Sequence, residues 1–356
     1  MKALCLYAGA GARDHLLRYG LQAQDVRIIP GAAGGPKGLI LGPLDRFIFS
    51  DWLLRSTQPV DLVGGSVGAW RLAYACLDDP AAALRAFEED YVHQDFKLLP
   101  GQKRPSAQQV SAQVAHDVHA AFKGRIGQIL GHPRYRLHIV TSHGRRLLAR
   151  EGPLRTPIGY LGAAAANSVR RRSLGGWIER VVFSRPGAAL PFRTQDLRTQ
   201  QVALNAANFE SALLASSSIP FWLAAVHDIP GAPRGAYWDG GVTDYHLHLD
   251  YSNTDGLVLY PHFQRAVVPG WLDKPLKRRH RTTAHLNRVL LLAPHPEWVG
   301  TLPNAKLPDR TDFARYGQDS AARTRAWAQA ASQAQQLADE FAQWLERPDL
   351  SVVLPL

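Results

Sequence analysis

Short apolar runs alternate with stretches of helical periodicity along the first part of the chain. Residues 26–29 form one apolar run, which leads through a glycine-rich loop into residues 37–55, where apolar positions recur at helical spacing. Residues 61–63 form a second run, followed by a glycine-bounded turn at 64–68 and a helix over 69–77. This order of strands and helices is typical of parallel pairing, so the pattern predicts an α/β fold with a mostly parallel central sheet.

The same alternation continues further along the chain. Strands are predicted at 136–141, 181–183, 236–238, 256–260 and 288–292, and helices at about 107–130, 209–218 and 319–345. The last helix carries an apolar stripe that predicts packing on the body of the protein. The members of this stripe are Trp327, Ala331, Ala334, Leu337, Phe341 and Trp344.

A single domain over residues 1–356 is predicted, because no linker and no internal repeat divides the chain. Its motif-bearing core covers about 26–245, and a C-terminal extension at about 256–356 is expected to pack on that core. Residues 144–180 are rich in Gly, Ala and Arg and have weak periodicity. They are therefore predicted to be an insertion or cap outside the core.

Composition excludes several classes of protein. Of the 356 residues, 46% are hydrophobic and 20% are charged, so the chain has enough apolar surface to fold and is not intrinsically disordered. No apolar run approaches the length of a membrane-spanning helix. The N-terminal apolar run is too short and too soon broken for a good secretory signal. Cys5 and Cys76 do not form a disulfide framework, which favours a reducing compartment and hence the cytoplasm.

Positive charge predominates, with 41 Lys and Arg against 30 Asp and Glu and a net charge of +11. Such a field favours phospholipid head groups, nucleic acid or acidic metabolites, although a basic surface without any partner accounts for it equally. The basic runs at 170–172 and 274–281 lack the interleaved aromatic residues of nucleic-acid readers, so no nucleic-acid partner is expected. Apolar anchors beside the second run indicate peripheral docking on an anionic membrane, with an ordinary surface loop as the alternative. These anchors are Val267, Val268, Trp271, Leu272 and Leu276.

Residues 64–68 match the pattern G-x-S-x-G. Its chemistry needs a serine on a sharp strand-to-helix turn, where small neighbours leave the hydroxyl exposed. A strand is predicted before this turn and a helix after it, so Ser66 is a candidate nucleophile. The alternative is a glycine-rich turn without any chemistry.

A second glycine-rich loop, residues 33–38, lies between a predicted strand and a predicted helix. Its amide groups could hold a phosphate or stabilise an oxyanion. It is not a Walker A loop, because Lys37 is followed by Gly38 and Leu39. It is not a dinucleotide fingerprint either, because Ala33 stands where that motif needs glycine.

Asp239 follows a short apolar strand and precedes two glycines. A carboxylate exposed at a strand end can act as a base, although Asp-Gly is also a common turn former. Upstream, residues 215–220 read Ala-Ser-Ser-Ser-Ile-Pro.

Taken together, these motifs resemble the patatin-like phospholipases. That family has a GGGx[RK]G loop, a GxSxG turn, an A-S-x-x-I/F-P segment and a D-G-[GA] motif, in this order. Here they correspond to residues 33–38, 64–68, 215–220 and 239–241. The resemblance covers about 26–245, and the order and spacing make the set more specific than any single motif.

The resemblance implies a three-layer α/β/α fold and a lipid acyl hydrolase of phospholipase A, lysophospholipase or carboxylesterase type. Ser66 is then the nucleophile and Asp239 the general base of a dyad without histidine, and no cofactor or metal is expected. Lys37 could hold a phosphate or stabilise charge. The residues expected to form the oxyanion hole or bind substrate are Gly34, Gly35, Lys37 and Gly38.

Three positions depart from the family pattern. Ala33 replaces the first glycine of the loop, and Lys37 replaces arginine, which keeps the charge but loses bidentate phosphate binding. After Asp239, the sequence lacks the Asn and Pro that often follow. These departures weaken conclusions about the substrate more than conclusions about the chemistry.

Other functions remain open at this point. An α/β-hydrolase triad could pair Ser66 and Asp239 with a later histidine, and the candidates are His262, His285 and His295. A metal site could form on one face of a strand from Asp244, His246, His248 and Asp250. A third alternative is a basic protein that binds membranes without catalysis.

Overall fold

A computed structural model describes residues 2–98, 100–102 and 104–356. At its centre lies a mixed, mostly parallel sheet of eleven strands within this described part. The strands are β1 Leu4–Ala8, β2 Val26–Gly31, β3 Val60–Gly65, β4 Tyr135–Gly144, β5 Ile178–Ser184, β6 Thr199–Ala203, β7 Val226–His227, β8 Ala236–Trp238, β9 Leu257–Pro261, β10 Val289–Pro294 and β11 Val353–Pro355.

Helices flank this sheet, which gives the α/β/α fold that the sequence predicts. They are α1 Ala10–Tyr19, α2 Gly42–Ser50, α3 Val67–Ala75, α4 Pro80–His93, α5 Ala107–Phe122, α6 Ile126–Gly131, α7 Arg155–Val169, α8 Phe209–Ser217, α9 Gly241–Asp244, α10 Pro296–Thr301, α11 Thr311–Tyr316, α12 Ser320–Gln333 and α13 Gln335–Glu346. None of the described helices is long and apolar enough to cross a bilayer.

The strand order places the loops that follow β2 and β3 side by side. The main path through the sheet is β11-β1-β10-β9-β2-β3-β4-β5-β6, and β8 pairs with β4 and β7. Within this path, the consecutive strands β10, β9, β2, β3 and β4 pair with one another in parallel. Gly31 at the end of β2 is in register with Gly64 near the end of β3. The loops that follow these two strands therefore leave the sheet at the same edge, where parallel sheets place their ligand sites.

The predicted strands are all present, and the long C-terminal helix is broken. Helices α12 and α13 are separated at Ala334, whose φ of −68° and ψ of −7° depart from helical ψ. The apolar stripe is nevertheless buried along both helices, as predicted, from Trp327 at 1% exposure to Trp344 at 7%.

The predicted division into a core and a C-terminal extension is wrong. Strand β9 pairs with β2, and β1 pairs with both β10 and β11. Residues beyond 256 therefore supply three strands to the central sheet instead of packing on it. The reason is topological: short buried strands pair with distant partners that no local pattern reveals.

The bounds of the predicted cap are also wrong. Gly144 is the last residue of β4, and residues 178–180 begin β5, which is buried throughout. What lies between them is mainly α7, which packs on a small second core beside the sheet. The largest members of this second core are Leu148, Tyr160, Leu174 and Trp238.

Candidate active site

Ser66 occupies a strained turn between β3 and α3. Its φ is +54° and its ψ is −132°, and α3 begins at the next residue. A serine with positive φ is uncommon, and such strain costs about 1–3 kcal/mol unless the surrounding structure holds it. Close packing provides that hold: a Cβ added at Gly64 would lie 2.5 Å from Ala69 Cα.

Gly68 packs even more closely, which yields a prediction about stability. A Cβ at this position would lie 1.9 Å from the carbonyl oxygen of Gly31. We expect Gly68→Ala to lower the free energy of unfolding by about 3 kcal/mol, measured by urea denaturation, because backbone must move to admit the methyl group. Gly176→Ala is the matched control, since no atom lies within 4 Å of its added Cβ. Equal stability of the two variants would contradict the prediction.

The glycine-rich loop lies between β2 and a 3-10 helix at Gly35–Leu41. Within the described residues, the amides of Gly34 and Gly35 donate to no backbone or side-chain acceptor, so both remain available as donors. Gly34 is closed on one side by Phe263, whose ring would lie 2.5 Å from an added Cβ. A Cβ at Gly38 would touch Val67 at 3.2 Å, so the loop packs against the residue after Ser66.

Asp239 follows β8, and hydrogen bonds made by its backbone groups fix its position. Its amide donates to the Ser218 carbonyl at 2.9 Å, and the Ser142 hydroxyl donates to its carbonyl at 2.8 Å. One carboxylate oxygen, Oδ1, accepts from the Gly241 amide at 2.7 Å. The other, Oδ2, is buried without an aligned hydrogen-bond donor among the described groups.

The pKa of Asp239 is raised because the carboxyl group is buried, with only 5% of the residue exposed. The Ser66 side chain is close enough to oppose this shift, and the positive charge of Arg310 opposes it as well. A buried carboxylate with a raised pKa beside a serine hydroxyl is a stronger base than an exposed one.

The structure brings the three predicted motifs together. A Cβ at Gly65 would lie 3.8 Å from Gly240 C and Gly241 N, which joins the serine turn to the aspartate segment. A Cβ at Gly241 would lie 2.7 Å from Ala33 Cβ, which joins the aspartate segment to the glycine-rich loop. Predicted site residues that are distant in sequence therefore lie in one cluster at one edge of the sheet.

Ser216 positions Ser66, the candidate nucleophile, and sequence reasoning missed this role. Its Oγ accepts from the Ser66 amide at 2.9 Å and donates to the Val140 carbonyl at 2.7 Å. The strained turn is thereby fixed to β4 through one buried hydroxyl. The sequence signal was present in the Ala-Ser-Ser-Ser-Ile-Pro segment, but the pattern does not reveal which serine makes this link.

Two cations that were not predicted as site residues, Arg310 and Lys274, act on Asp239, and Lys37 lies close enough to influence Lys274. The guanidinium of Arg310 lies over the loop, with Nε 3.4 Å from the Cβ position of Gly35. Lys274 Nζ lies 3.9 Å from the ring centre of Tyr245, and its charge acts on Asp239 together with that of Arg310. Lys37, the predicted cation, lies 5.3 Å from the ring centre of Phe263. None of the three is ion-paired with a described acid.

Burial makes Lys37 and Lys274 easier to deprotonate. It lowers the pKa of Lys37, and it lowers the pKa of Lys274 to about 8, with Arg310 contributing to both shifts. A half-buried cluster of cations without counter-ions favours an anionic ligand. Lys274 belongs to the basic run noted in the sequence, but Arg310 lies in a segment where no local signal marks it.

The histidines proposed for a triad lie elsewhere. His262 is buried, its Nδ1 hydrogen-bonds to the backbone of Gln264, and burial lowers its pKa to about 3. His285 is close to Asp250, and His295 caps α10. Among the described residues, no histidine hydrogen-bonds Ser66 or Asp239, so the arrangement does not support a triad.

The four residues proposed as metal ligands do not share a strand face. Asp244 ends α9 and is paired with the buried Arg180 at 2.6 Å. His246 and His248 bond to backbone of residues 266–268. No group of three His, Cys, Asp or Glu side chains suited to a metal occurs in the part of the chain that the structure describes.

Two of the five apolar anchors predicted for membrane docking are buried. Val267 and Val268 are only 3% and 4% exposed, and their backbone groups hydrogen-bond to His248 and His246. Part of the neighbouring basic charge is also neutralised internally. Arg279 pairs with the buried Asp273 at 2.7 Å, and the same carboxylate accepts from Arg171 at 3.0 Å.

Two comparisons with known proteins find no match. No protein-family model matches the chain, and no curated protein matches it either. The chemistry of the site is therefore inferred from the residues that form it.

Proposed function

We propose that this protein is a serine acyl hydrolase of the patatin-like type, which cleaves carboxylic esters of lipids. The observation that carries the proposal is a strained serine next to a buried aspartate of raised pKa, with the free amides of Gly34 and Gly35 in the adjoining loop. These are the nucleophile, base and oxyanion donors of acyl transfer.

In the proposed reaction, Ser66 Oγ attacks the ester carbonyl while its proton passes to Asp239. The amides of Gly34 and Gly35 stabilise the oxyanion of the tetrahedral intermediate. The intermediate collapses to an acyl-enzyme, and the leaving alkoxide takes the proton from Asp239. Asp239 then removes a proton from water, which attacks the acyl carbonyl. Collapse of this second intermediate releases the acid and returns the proton to Ser66.

The cations around the dyad support an anionic ester, such as a phospholipid or lysophospholipid, as the substrate. Lys37, Lys274 and Arg310 influence one another's charge, and none of the three forms a salt bridge with an acid in the described chain, although the charge of Asp309 reaches Lys37 and that of Asp239 reaches Lys274. An anionic head group would supply the missing counter-charge, and arginine and lysine are the usual phosphate-binding side chains.

Lys274 gives this preference a pH dependence. Its pKa is about 8, so it carries a positive charge below pH 8 and is neutral above it, whereas the pKa of the adjacent Tyr245 is about 12. We expect kcat/KM for a monoacylglycerol phosphate, relative to the uncharged monoacylglycerol, to fall about tenfold as pH rises through this value. Lys274→Arg stays charged and should remove the decline. A decline that persists unchanged in Lys274→Arg would contradict the role of this lysine.

Covalent labelling tests the proposed function. A fluorophosphonate should add once to the folded protein, with an intact-mass shift of one adduct that peptide mapping places on Ser66. Ser173→Ala is the matched control, since this serine is exposed. Failure of the folded wild-type protein to react, or a label on another serine, would overturn the proposal.

A further inference from the structure

Helix α7 turns an apolar side away from the protein. Leu154, Ile158 and Leu161 are spaced four and three residues apart, so they share one side of the helix, and they are 74%, 55% and 70% exposed. The opposite side, which includes Gly159 and Tyr160, is buried against the second core. Clustered large apolar side chains in water indicate a binding surface.

Phe221 and Trp222 extend this apolar surface. They are 54% and 52% exposed. Phe221 has a φ of +70°, which is rare for a bulky residue, and the turn is held by the Ile219 carbonyl, which accepts from the amide of Trp222 at 3.1 Å. The Phe221 ring lies 5.6 Å from that of Tyr160 on α7. Phe221 and Trp222 are therefore exposed apolar side chains next to α7.

Positive charge surrounds the surface. Residues 145–172 contain seven arginines and a single acid, Glu151. Arg155 and Arg170 are exposed at the two ends of α7. Arg278, from the basic run at 274–281, adds positive charge at the C-terminal end of α7, where it donates to the Ser168 carbonyl at 2.9 Å. Apolar side chains ringed by arginines complement an anionic lipid surface, whereas a second copy of this chain would oppose like charges.

The surface adjoins the candidate active site. The Tyr160 ring lies 5.7 Å from Trp238, the residue before Asp239. It also lies 6.4 Å from the ring of Trp271, which neighbours Lys274. Helix α7, which carries the exposed apolar side chains, therefore packs beside the segment that holds Asp239.

We propose that Leu154, Ile158, Leu161, Phe221 and Trp222 form a docking face that binds anionic lipid membranes. This face differs from the docking site predicted from the sequence, which was the group of apolar residues beside the basic run at 274–281. It extends the proposed function, but binding requires neither Ser66 nor Asp239. The proposal can therefore be tested without catalysis.

The experiment measures vesicle partitioning of full-length Ser66→Ala protein by flotation. Vesicles of phosphatidylcholine with about 30 mol% phosphatidylglycerol should bind it at least about tenfold more strongly than pure phosphatidylcholine, and about 0.5 M NaCl should weaken that binding. Equal binding to both vesicle types, or none to the anionic vesicles, would overturn the proposal.

Variants distinguish binding through the docking face from nonspecific binding through any exposed apolar side chain. Introducing both Ile158→Gln and Leu161→Gln into the Ser66→Ala protein should reduce partitioning about tenfold or more. Two apolar anchors are lost, whereas glutamine is still compatible with a helix. Introducing Arg155→Gln and Arg170→Gln into the Ser66→Ala protein, in place of the first pair, should reduce binding to anionic vesicles by a similar factor. Leu17→Gln with Leu54→Gln is the matched control, since these residues are 59% and 64% exposed and lie outside the face. A loss in the control as large as in the first pair would overturn the assignment.

Two further outcomes are informative. Binding of soluble polyglutamate in place of anionic vesicles, lost in the Ile158 and Leu161 variant, would assign the face to an acidic protein and overturn the lipid proposal. Vesicle binding that follows the variants as expected, in a protein that hydrolyses no ester, would support the docking face and overturn the proposed function alone.

Discussion

Replacement of Ser66 by alanine is expected to abolish ester hydrolysis. Loss of the attacking oxygen leaves only binding and oxyanion stabilisation, so kcat for a soluble ester such as p-nitrophenyl butyrate should fall by about 10⁴-fold or more. The fold should be retained, because the amide of Ser66, and not its hydroxyl, makes the structural bond to Ser216. Thermal unfolding of the variant checks this point.

The fluorophosphonate adduct should disappear in the same variant. Ser173→Ala should keep both the adduct and the rate. Residual hydrolysis within about tenfold of the wild-type rate would assign nucleophilic attack to another residue and would leave Ser66 with only a structural role in its turn.

Asp239→Asn is expected to give the second largest loss, about 10²- to 10⁴-fold in kcat/KM. Asparagine can still accept from the Gly241 amide through Oδ1, which preserves the turn. Its NH2 group would occupy the position of Oδ2 and cannot take a proton from Ser66. Asp255→Asn, at an exposed position, is the matched control.

The pH profile distinguishes a base from a merely structural carboxylate. Only the ionised form of Asp239 can accept a proton, and burial raises its pKa, so activity should increase with pH across a range above that of an ordinary aspartate. In Asp239→Asn this rise should be absent from the residual activity. If Asp239→Asn kept the wild-type rate and profile, the base would be another group.

The local parts of the site could be predicted from the sequence. The apolar run before Ser66, the glycines around it and the Asp239 turn each lie within a few residues, so their pattern carries the geometry. The α/β class followed from the same alternation of short strands and helices. These features depend on backbone sterics, which act between near neighbours.

The long-range parts could not be predicted. Arg310 reaches Gly35 from 275 positions along the chain, and Ser216 reaches Ser66 across 150. Both contacts depend on how the strands are ordered, and no spacing within the sequence encodes that order. The exposed side of α7 was missed because residues 144–180 have only weak periodicity, which predicts neither the helix nor the side of it that faces the protein.

The pairing of β9 with β2 has a consequence for biosynthesis. A ribosome-bound chain that has emerged only as far as α9 already carries Ser66 and Asp239, but β2 still lacks one of its two neighbours. Phe263, which closes the side of Gly34, follows later still. The nascent chain therefore contains the reactive groups before the loop that would stabilise an oxyanion is supported. If the protein hydrolyses esters as proposed, competence should arise only after translation of residues beyond β9.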